Sequence, residues 1–316
     1  MPNHDPQTQL VKYLTDAHSI EEQALVQIRR APDLVEGSFA DSFRRHLAET
    51  ESQEQRVRAR LEAHGASPSK VKDAAGAAGG FGMVLFARSQ PDTPTKLALH
   101  AFSYEHMEVA TYELLARAAR EAGDEETATM AEAIADEERE MAGRIAAAFD
   151  EAVEQALREV DPAKLGEQLN SYLSDVHALE GQSRALLEKS KKMDVPAPLA
   201  EAFAHHLEET EGHLEKVERR LDERGAAPSA IKDAMLRLGA LNWGMFFAAQ
   251  PDTPAKLAGF AYAVENLEVA AYELLKRVAR RAGDEETVAA AEEILAEEEA
   301  AAKQVADHWS VSMAAA

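Results

Sequence analysis

Cysteine is absent from this chain of 316 residues, which excludes both a disulfide framework and any thiolate metal site. Aromatic residues make up only 6%, and Ala, Glu, Leu and Arg dominate instead, a composition that favours helix throughout. Positive charge is also short: 34 Lys and Arg face 57 Asp and Glu, for a net charge of −23. Such a surface repels phosphates, so nucleic acid and anionic membranes are not expected partners. It concentrates cations instead. No apolar run is long enough to span a bilayer, and Met1-Pro2-Asn3-His4-Asp5-Pro6 lacks the basic-then-apolar pattern of a signal peptide. A cytoplasmic location is the default expectation. With sulfur ligands missing, any metal site must use carboxylate oxygen and imidazole nitrogen.

What the chain does contain is one unit written twice. Asp92-Thr93-Pro94 returns as Asp252-Thr253-Pro254, and Glu105-x-x-Glu108-x-x-x-Tyr112 as Glu265-x-x-Glu268-x-x-x-Tyr272. Upstream, Asp16-x-His18-x-x-Glu21 recurs as Asp175-x-His177-x-x-Glu180, and His46-Leu47-x-Glu49-Thr50 as His206-Leu207-x-Glu209-Thr210. The repeat sets a domain boundary near Asp161-Pro162, giving residues 1–160 and 161–316.

Each repeat reads as four helices. Apolar residues at three-four spacing mark the first from Thr8 to Arg30 and the second from Gly37 to His64, with Gly65 as its stop. Asp92-Thr93-Pro94 has the form of a helix start, Gly123 ends the third helix, and Asp124 can cap the fourth. Between the second and third helices lies a long segment, residues 68–91 and 228–251, rich in Gly and aromatics such as Trp243 and Phe246. Short first and last turns with one long central crossover are the ferritin-like connection. The expected fold class is therefore all-α, two tandem ferritin-like four-helix bundles with long crossovers. The apolar crossovers are expected to pack across a bundle or between the repeats.

Polar residues on the apolar faces carry the functional signal. His18 and Glu21 share the stripe of Leu14 and Leu25, and His46, Glu49 and Gln53 share one face of the second helix. The second copy has His213 where the first has Gln53. Glu105, Glu108 and Tyr112 line the third helix, and Glu137 and Glu138 sit between Ile134 and Met141 on the fourth. Carboxylates meeting in a core repel one another and lose hydration, and a divalent cation removes both costs. Taken singly, each residue has an ordinary explanation: a boundary Glu is usually solvated or paired with Arg, and a lone His such as His18 is more often a hydrogen-bonded core residue. Their occurrence on four helices, twice, favours metal. Glu and His on facing helices are the ligand set of di-iron and di-manganese carboxylate bundles.

His206-Leu-Glu-Glu-Thr-Glu-Gly-His213 together with Glu265-x-x-Glu268-Val-Ala-Ala-Tyr272 resembles the ferritin-like YciE/YciF family of bacterial stress-associated proteins. The resemblance covers both repeats nearly end to end. It implies a carboxylate-rich di-metal site with iron-oxidising activity. It also implies ligands Glu21, Glu49, Glu105, Glu108 and Glu138 (or Glu137) in the first repeat. The second repeat would use Glu180, Glu209, His213, Glu265, Glu268 and Glu298 (or Glu297). Two departures stand out: the usual Glu-x-x-His order is reversed to His-x-x-Glu on the first two helices, and the fourth helix lacks a His three residues after its Glu.

The favoured reading is a protein that binds iron or manganese, one or two ions per repeat, and oxidises ferrous iron with dioxygen or peroxide. His18, His46, His177 and His206 would be ligands or hydrogen-bonded to ligands. His106, one residue off the inward stripe, is expected to contribute less. A fused tandem suits a monomer or small homo-oligomer. Two alternatives come from other classes. One is a scaffold or stress-interaction protein with a buried Glu, His and Arg network and no metal; the other is a pocket for an apolar ligand beside Trp243 and Phe246.

Overall fold

The structure is a computed structural model, and it describes residues 5–70, 72–74, 92–230, 232–233 and 253–314. All regular structure among these residues is helical. The chain divides into two compact units, Met1–Arg158 and Glu159–Ala316. The first holds α1 (Pro6–Ile28), α2 (Gly37–Ala63), α3 (Thr93–Glu121), α4 (Glu125–Ala147) and the short α5 (Phe149–Leu157). The second holds α6 (Leu165–Ser190), α7 (Ala197–Glu223), α8 (Thr253–Ala282), α9 (Glu285–Asp307) and the short α10 (Trp309–Ala314). Among the described residues, no helix is long and apolar enough to cross a membrane.

Helix directions follow from the contacts at helix ends. Gly123, with φ of 74°, lets the chain reverse after α3, a left-handed conformation that a β-carbon disfavours. Asp124 then caps α4 by accepting the Thr127 amide at 3.0 Å. Its carboxylate also takes Arg60 at 2.8 Å and His64 at 2.7 Å from the end of α2, so α2 and α4 run antiparallel. At the same end of α3, Gln7 from the first turn of α1 donates to the Ala122 carbonyl at 2.8 Å, so α1 and α3 are antiparallel as well. With a tight turn joining α1 to α2, the consecutive helices that run parallel are α2 and α3. Helix α2 has 27 residues, a length of roughly 40 Å. The end of α2 and the start of α3 therefore lie at opposite ends of the bundle, which is the ferritin-like connection. In the second unit, Arg224 at the end of α7 donates to Gly166 O at the start of α6 (2.9 Å) and pairs with Asp284 at the start of α9. The same directions result. The packed pairs agree: α1 lies against α2 and α3, and α4 against α2 and α3, with the equivalent pairs in the second unit.

Three details differ from the sequence expectation. Asp92 occupies the N-cap position of α3 but makes no capping hydrogen bond from its side chain; it lies 3.5 Å from Lys96 instead. The chain also bends at Ala148, so that Phe149 folds back against Phe102 (ring centroids 5.5 Å apart) and begins the extra helix α5. Gln155 fixes that helix by bracketing Glu36, accepting from its amide at 3.0 Å and donating to its carbonyl at 3.1 Å. Trp309 opens α10 in the corresponding place and packs edge-on to Tyr262 at 5.4 Å. The crossover packing, and the pocket beside Trp243 and Phe246, lie outside the described residues.

Candidate metal centre

Helix periodicity brings polar groups from all four long helices to the middle of each bundle. In the first unit these are Glu21 from α1, His46 and Gln53 from α2, Glu105 and Glu108 from α3, and Glu138 from α4, all buried. Ligand atoms of His46, Glu105, Glu108 and Glu138 lie within 4.8 Å of one another. His46 Nε2 is 3.1 Å from Glu105 Oε2 and 3.5 Å from Glu138 Oε2. His206, Glu265, Glu268 and Glu298 repeat the group, with His206 Nε2 at 2.7 Å from Glu265 and 3.5 Å from Glu298. The second unit adds an overlapping group of Glu180, His213 and Glu298. There His213 Nδ1 stands 3.3 Å from Glu180 and 2.9 Å from Glu298. Glu298 belongs to both groups.

Orphaned atoms test whether these residues suit a cation. In the first unit Glu21 Oε2, His46 Nε2, Gln53 Oε1, Glu105 Oε2 and both oxygens of Glu108 and Glu138 are buried without a hydrogen-bond partner. The second unit leaves Glu180 Oε2, His206 Nε2, His213 Nδ1, Glu265 Oε2 and both oxygens of Glu268 and Glu298 in the same condition. His46 Nε2 and Glu105 Oε2 are close enough to bond at 3.1 Å but are misaligned for it. Buried polar atoms are almost always satisfied, so this concentration in one place needs an explanation. Four carboxylates per unit match the charge of two divalent ions, and an oxygen-rich set with one or two imidazoles suits iron or manganese.

Electrostatics describes the same strain. Burial, with Glu105 adding to it, drives Glu21 to about 8 despite the lowering hydrogen bond from Tyr112. Burial and the neighbouring carboxylates hold Glu108, Glu138 and Glu268 well above the usual range, and bring Glu298 to about 8. For His46 and His206 burial opposes the charge, but facing carboxylates outweigh it. His46 lies well above its ordinary value and His206 at about 12. Without a cation, the clusters hold protons.

Side chains around the clusters fix their orientation. Tyr112 donates its hydroxyl to Glu21, and Tyr272 donates to Glu180 at 2.6 Å. Glu49, expected to point inward, does not: its side chain is 31% exposed, takes Arg144 from α4, and lies 3.1 Å from His46 Nδ1. A carboxylate on Nδ1 aims Nε2 inward, the arrangement that commonly orients metal-binding imidazoles. Glu209 does the same for His206 at 3.1 Å, with His205 in place of the arginine. The inward group of α2 and α7 is therefore the imidazole and the outer group is the carboxylate, because Arg144 attracts Glu49 outward while Glu105 and Glu138 attract His46. Glu137 and Glu297 are likewise outer partners, of Gln53 (3.0 Å) and His213 (2.6 Å). His106 turns away to the Phe102 carbonyl.

His18 and His177 lie away from the central clusters, and His18 forms a separate group with Glu22 and Glu54 whose ligand atoms lie within 4.8 Å of one another. His18 sits between Glu54 (2.8 Å) and Asp73 (3.3 Å), while Asp16 holds Lys72 at 2.5 Å. His177 sits between Glu218 (3.1 Å) and Asp233 (3.0 Å), with Asp175 on Lys232 at 2.6 Å. These clamps tie residues 72–73 and 232–233 to the first helix of each repeat. The recurrence of Lys-Asp at both positions was the sequence signal that could have paired them with Asp-x-His. His18→Asn is expected to lower stability by about 1–3 kcal/mol, the cost of unpairing buried polar groups, while leaving the metal content of the central clusters unchanged. Urea unfolding and elemental analysis of the same sample check both halves.

Two helical bundles in tandem, each with Glu and His side chains that could hold a metal ion at its centre, are the class that fold and site define. The chain belongs to the family described as a domain of unknown function (DUF892), matched over residues 5–158 and again over 164–316.

Proposed function

We propose that each repeat is a ferritin-like, YciF-type metal centre, and that the protein binds iron or manganese and oxidises ferrous iron with dioxygen or peroxide. One observation carries this reading: buried carboxylate and imidazole atoms without partners converge at mid-bundle from four helices, in both repeats. His46, Glu105, Glu108, Glu138 and Glu21 would hold the ions in the first repeat. His206, Glu265, Glu268, Glu298, Glu180 and His213 would hold them in the second. Bound as a neighbouring pair, such ions supply one-electron steps that two centres share.

The chain's own residues set the conditions. Glu108 and Glu268, held protonated by burial, give up protons as cations enter. Glu49 and Glu209 keep the imidazoles aimed inward. Tyr112 and Tyr272 restrain one oxygen of Glu21 and Glu180, leaving the other free to bind. Apolar helix faces around the clusters exclude bulk water.

Metal content after purification without chelator, followed by anaerobic titration with Fe2+ and Mn2+, tests the reading. Stoichiometric binding that Glu138→Ala with Glu298→Ala abolishes is expected. A protein that stays metal-free under both titrations is instead a scaffold whose polar cores are closed networks.

A further inference from the structure

Away from its central cluster, the first repeat has a second convergence of metal-ligating groups. His18 from α1 and Glu54 from α2 face one another at 2.8 Å, and Glu22 on α1 completes the group. One ligand atom from each lies within 4.8 Å of the others. In a tetrahedral site with bonds of about 2.0–2.1 Å, ligand atoms stand about 3.3 Å apart, so small side-chain shifts separate this group from such a site. His18 and Glu54 are buried, while Glu22 reaches solvent and leaves the group an open side.

The imidazole is already oriented as a ligand. Asp73 lies on His18 Nδ1 at 3.3 Å and is itself held by the Ser19 hydroxyl at 2.8 Å, so Nε2 is turned to the carboxylates. Glu49 sets His46 in the same way at the central cluster. A cation also fills the place. Arg58 sends Nε and Nη2 to Glu54 at 2.7 and 2.5 Å, and its Nη2 comes within 3.9 Å of Glu22. The Arg58 side chain is 48% exposed, so it is able to withdraw into solvent. Three carboxylates, from Glu22, Glu54 and Asp73, face this one guanidinium.

The second repeat shows what the clamp on the imidazole requires by itself. His177 keeps Asp233 on Nδ1 at 3.0 Å and takes one carboxylate, Glu218, on Nε2 at 3.1 Å. Gly181 and Leu214 stand where the first repeat has Glu22 and Glu54, and Glu218 stands where it has Arg58. Both carboxylates and the arginine between them therefore occur together in one copy and are missing together from the other. One acceptor per ring nitrogen suffices for the clamp, and Glu22 is surplus to it. As an exposed ion pair with Arg58, Glu22 would add little to stability.

We propose that His18, Glu22 and Glu54 form a further metal site, peculiar to the first repeat, which takes one Zn2+-like divalent ion in exchange for the Arg58 guanidinium. Water completes the coordination on the open side. One imidazole and two carboxylates suit Zn2+ better than Mn2+, which binds such sets more weakly. The site does not depend on what the central clusters do.

The full chain carrying Glu138→Ala and Glu298→Ala, which disable the central clusters, is titrated with Zn2+ against a chromophoric competitor. One ion per chain should remain. Glu22→Gln, and separately Glu54→Gln, should each weaken its binding by about 10-fold or more. Arg58→Gln should tighten it about five-fold, because the ion no longer displaces a guanidinium. Thermal unfolding of each metal-free variant checks that the fold is kept, and Glu22, being partly exposed, is the change least able to disturb it. No retained ion overturns the proposal. So does an ion indifferent to Glu22→Gln and Glu54→Gln, which would be adventitious. Failure of Arg58→Gln to tighten binding marks a closed ion network and overturns it as well. If the central clusters bind nothing, the unaltered chain should still take up this single ion with the same sensitivity to Glu22→Gln, so the two readings fail separately.

Discussion

Chelated protein should lose thermal stability between pH 5 and pH 8, and a bound divalent cation should remove most of that loss. The sign follows from where protons sit. Folded, Glu21 and Glu298 keep their protons up to about 8; unfolded, they release them near 4.5. Between those values the folded chain holds more protons than the unfolded one, so raising the pH favours unfolding. Glu108, Glu138 and Glu268 are raised for the same reason, burial among like charges, and act in the same direction. His213, at about 10, and His206, at about 12, extend the trend above pH 6.5. Acid has the opposite effect on the outer ring. Hydrogen bonds from His46 and Arg144 lower Glu49 to about 2, so its contribution is complete above 4.5 and is lost as the pH falls towards 2.

Maximum stability of the chelated protein therefore falls near pH 5. Each pKa unit in a buried group corresponds to about 1.4 kcal/mol, but coupling within a cluster keeps the total well below the sum. A decrease in Tm on the order of 10 °C from pH 5 to pH 8 is expected. Cations displace the protons, so the loaded protein should show a flat profile, and binding near pH 7 should release protons into weak buffer. Calorimetry with and without chelator measures the profile. A chelated Tm that stays level or rises over this range would mean that the inner carboxylates are already ionised, and the argument from protonated clusters would fail.

The second large effect concerns inequality between the repeats. His213 reaches inward with Nδ1 while Glu297 holds Nε2 at 2.6 Å, and this geometry completes the additional Glu180, His213 and Glu298 group. Gln53 holds the corresponding sequence position: its amide nitrogen donates to Glu137 at 3.0 Å and its oxygen is buried with no hydrogen-bond partner. An amide oxygen is a weaker donor to iron or manganese than an imidazole nitrogen. The second repeat should therefore bind a cation pair, while the first binds more weakly. His213→Gln is expected to weaken the second position by about 10- to 100-fold, the scale on which metal sites respond to lost supporting groups. Gln53→His should strengthen the first repeat by a comparable factor. Mn2+ titration followed by electron paramagnetic resonance counts the tight sites in the wild type and both variants. If neither exchange moves the count or the affinity, the niche on α2 and α7 is not a metal position.

Much of this arrangement is legible in the sequence because helical periodicity is local. Glu21, Glu105 and Glu108 each fall on an apolar stripe that predicts an inward position, whereas the stripe leaves Glu137 and Glu138 as alternatives and the structure buries Glu138. The pair His46 and Glu49 shows where periodicity stops being sufficient. Residues three apart share a face, and the choice between them depends on charges supplied by other helices: Arg144 outside, Glu105 and Glu138 inside. No spacing rule encodes that. His18 has a similar lesson, since its stripe position is inward but the partners that claim it, Glu54 and Asp73, come from α2 and from beyond it. The short helices α5 and α10 were missed because each begins at a bend fixed by a distant aromatic contact, Phe102 for one and Tyr262 for the other.

Covalent fusion of the two units has a consequence for how such a site can change. In an assembly of identical chains, any substitution strikes every site at once, so a change that harms one function while helping another meets immediate opposition. Here one codon alters one centre. Gln53 can stand where the other copy has the imidazole of His213, while that copy keeps its own chemistry. The linked pair is always present in equal amounts, so two divergent centres are supplied in a fixed ratio without any need for matched expression.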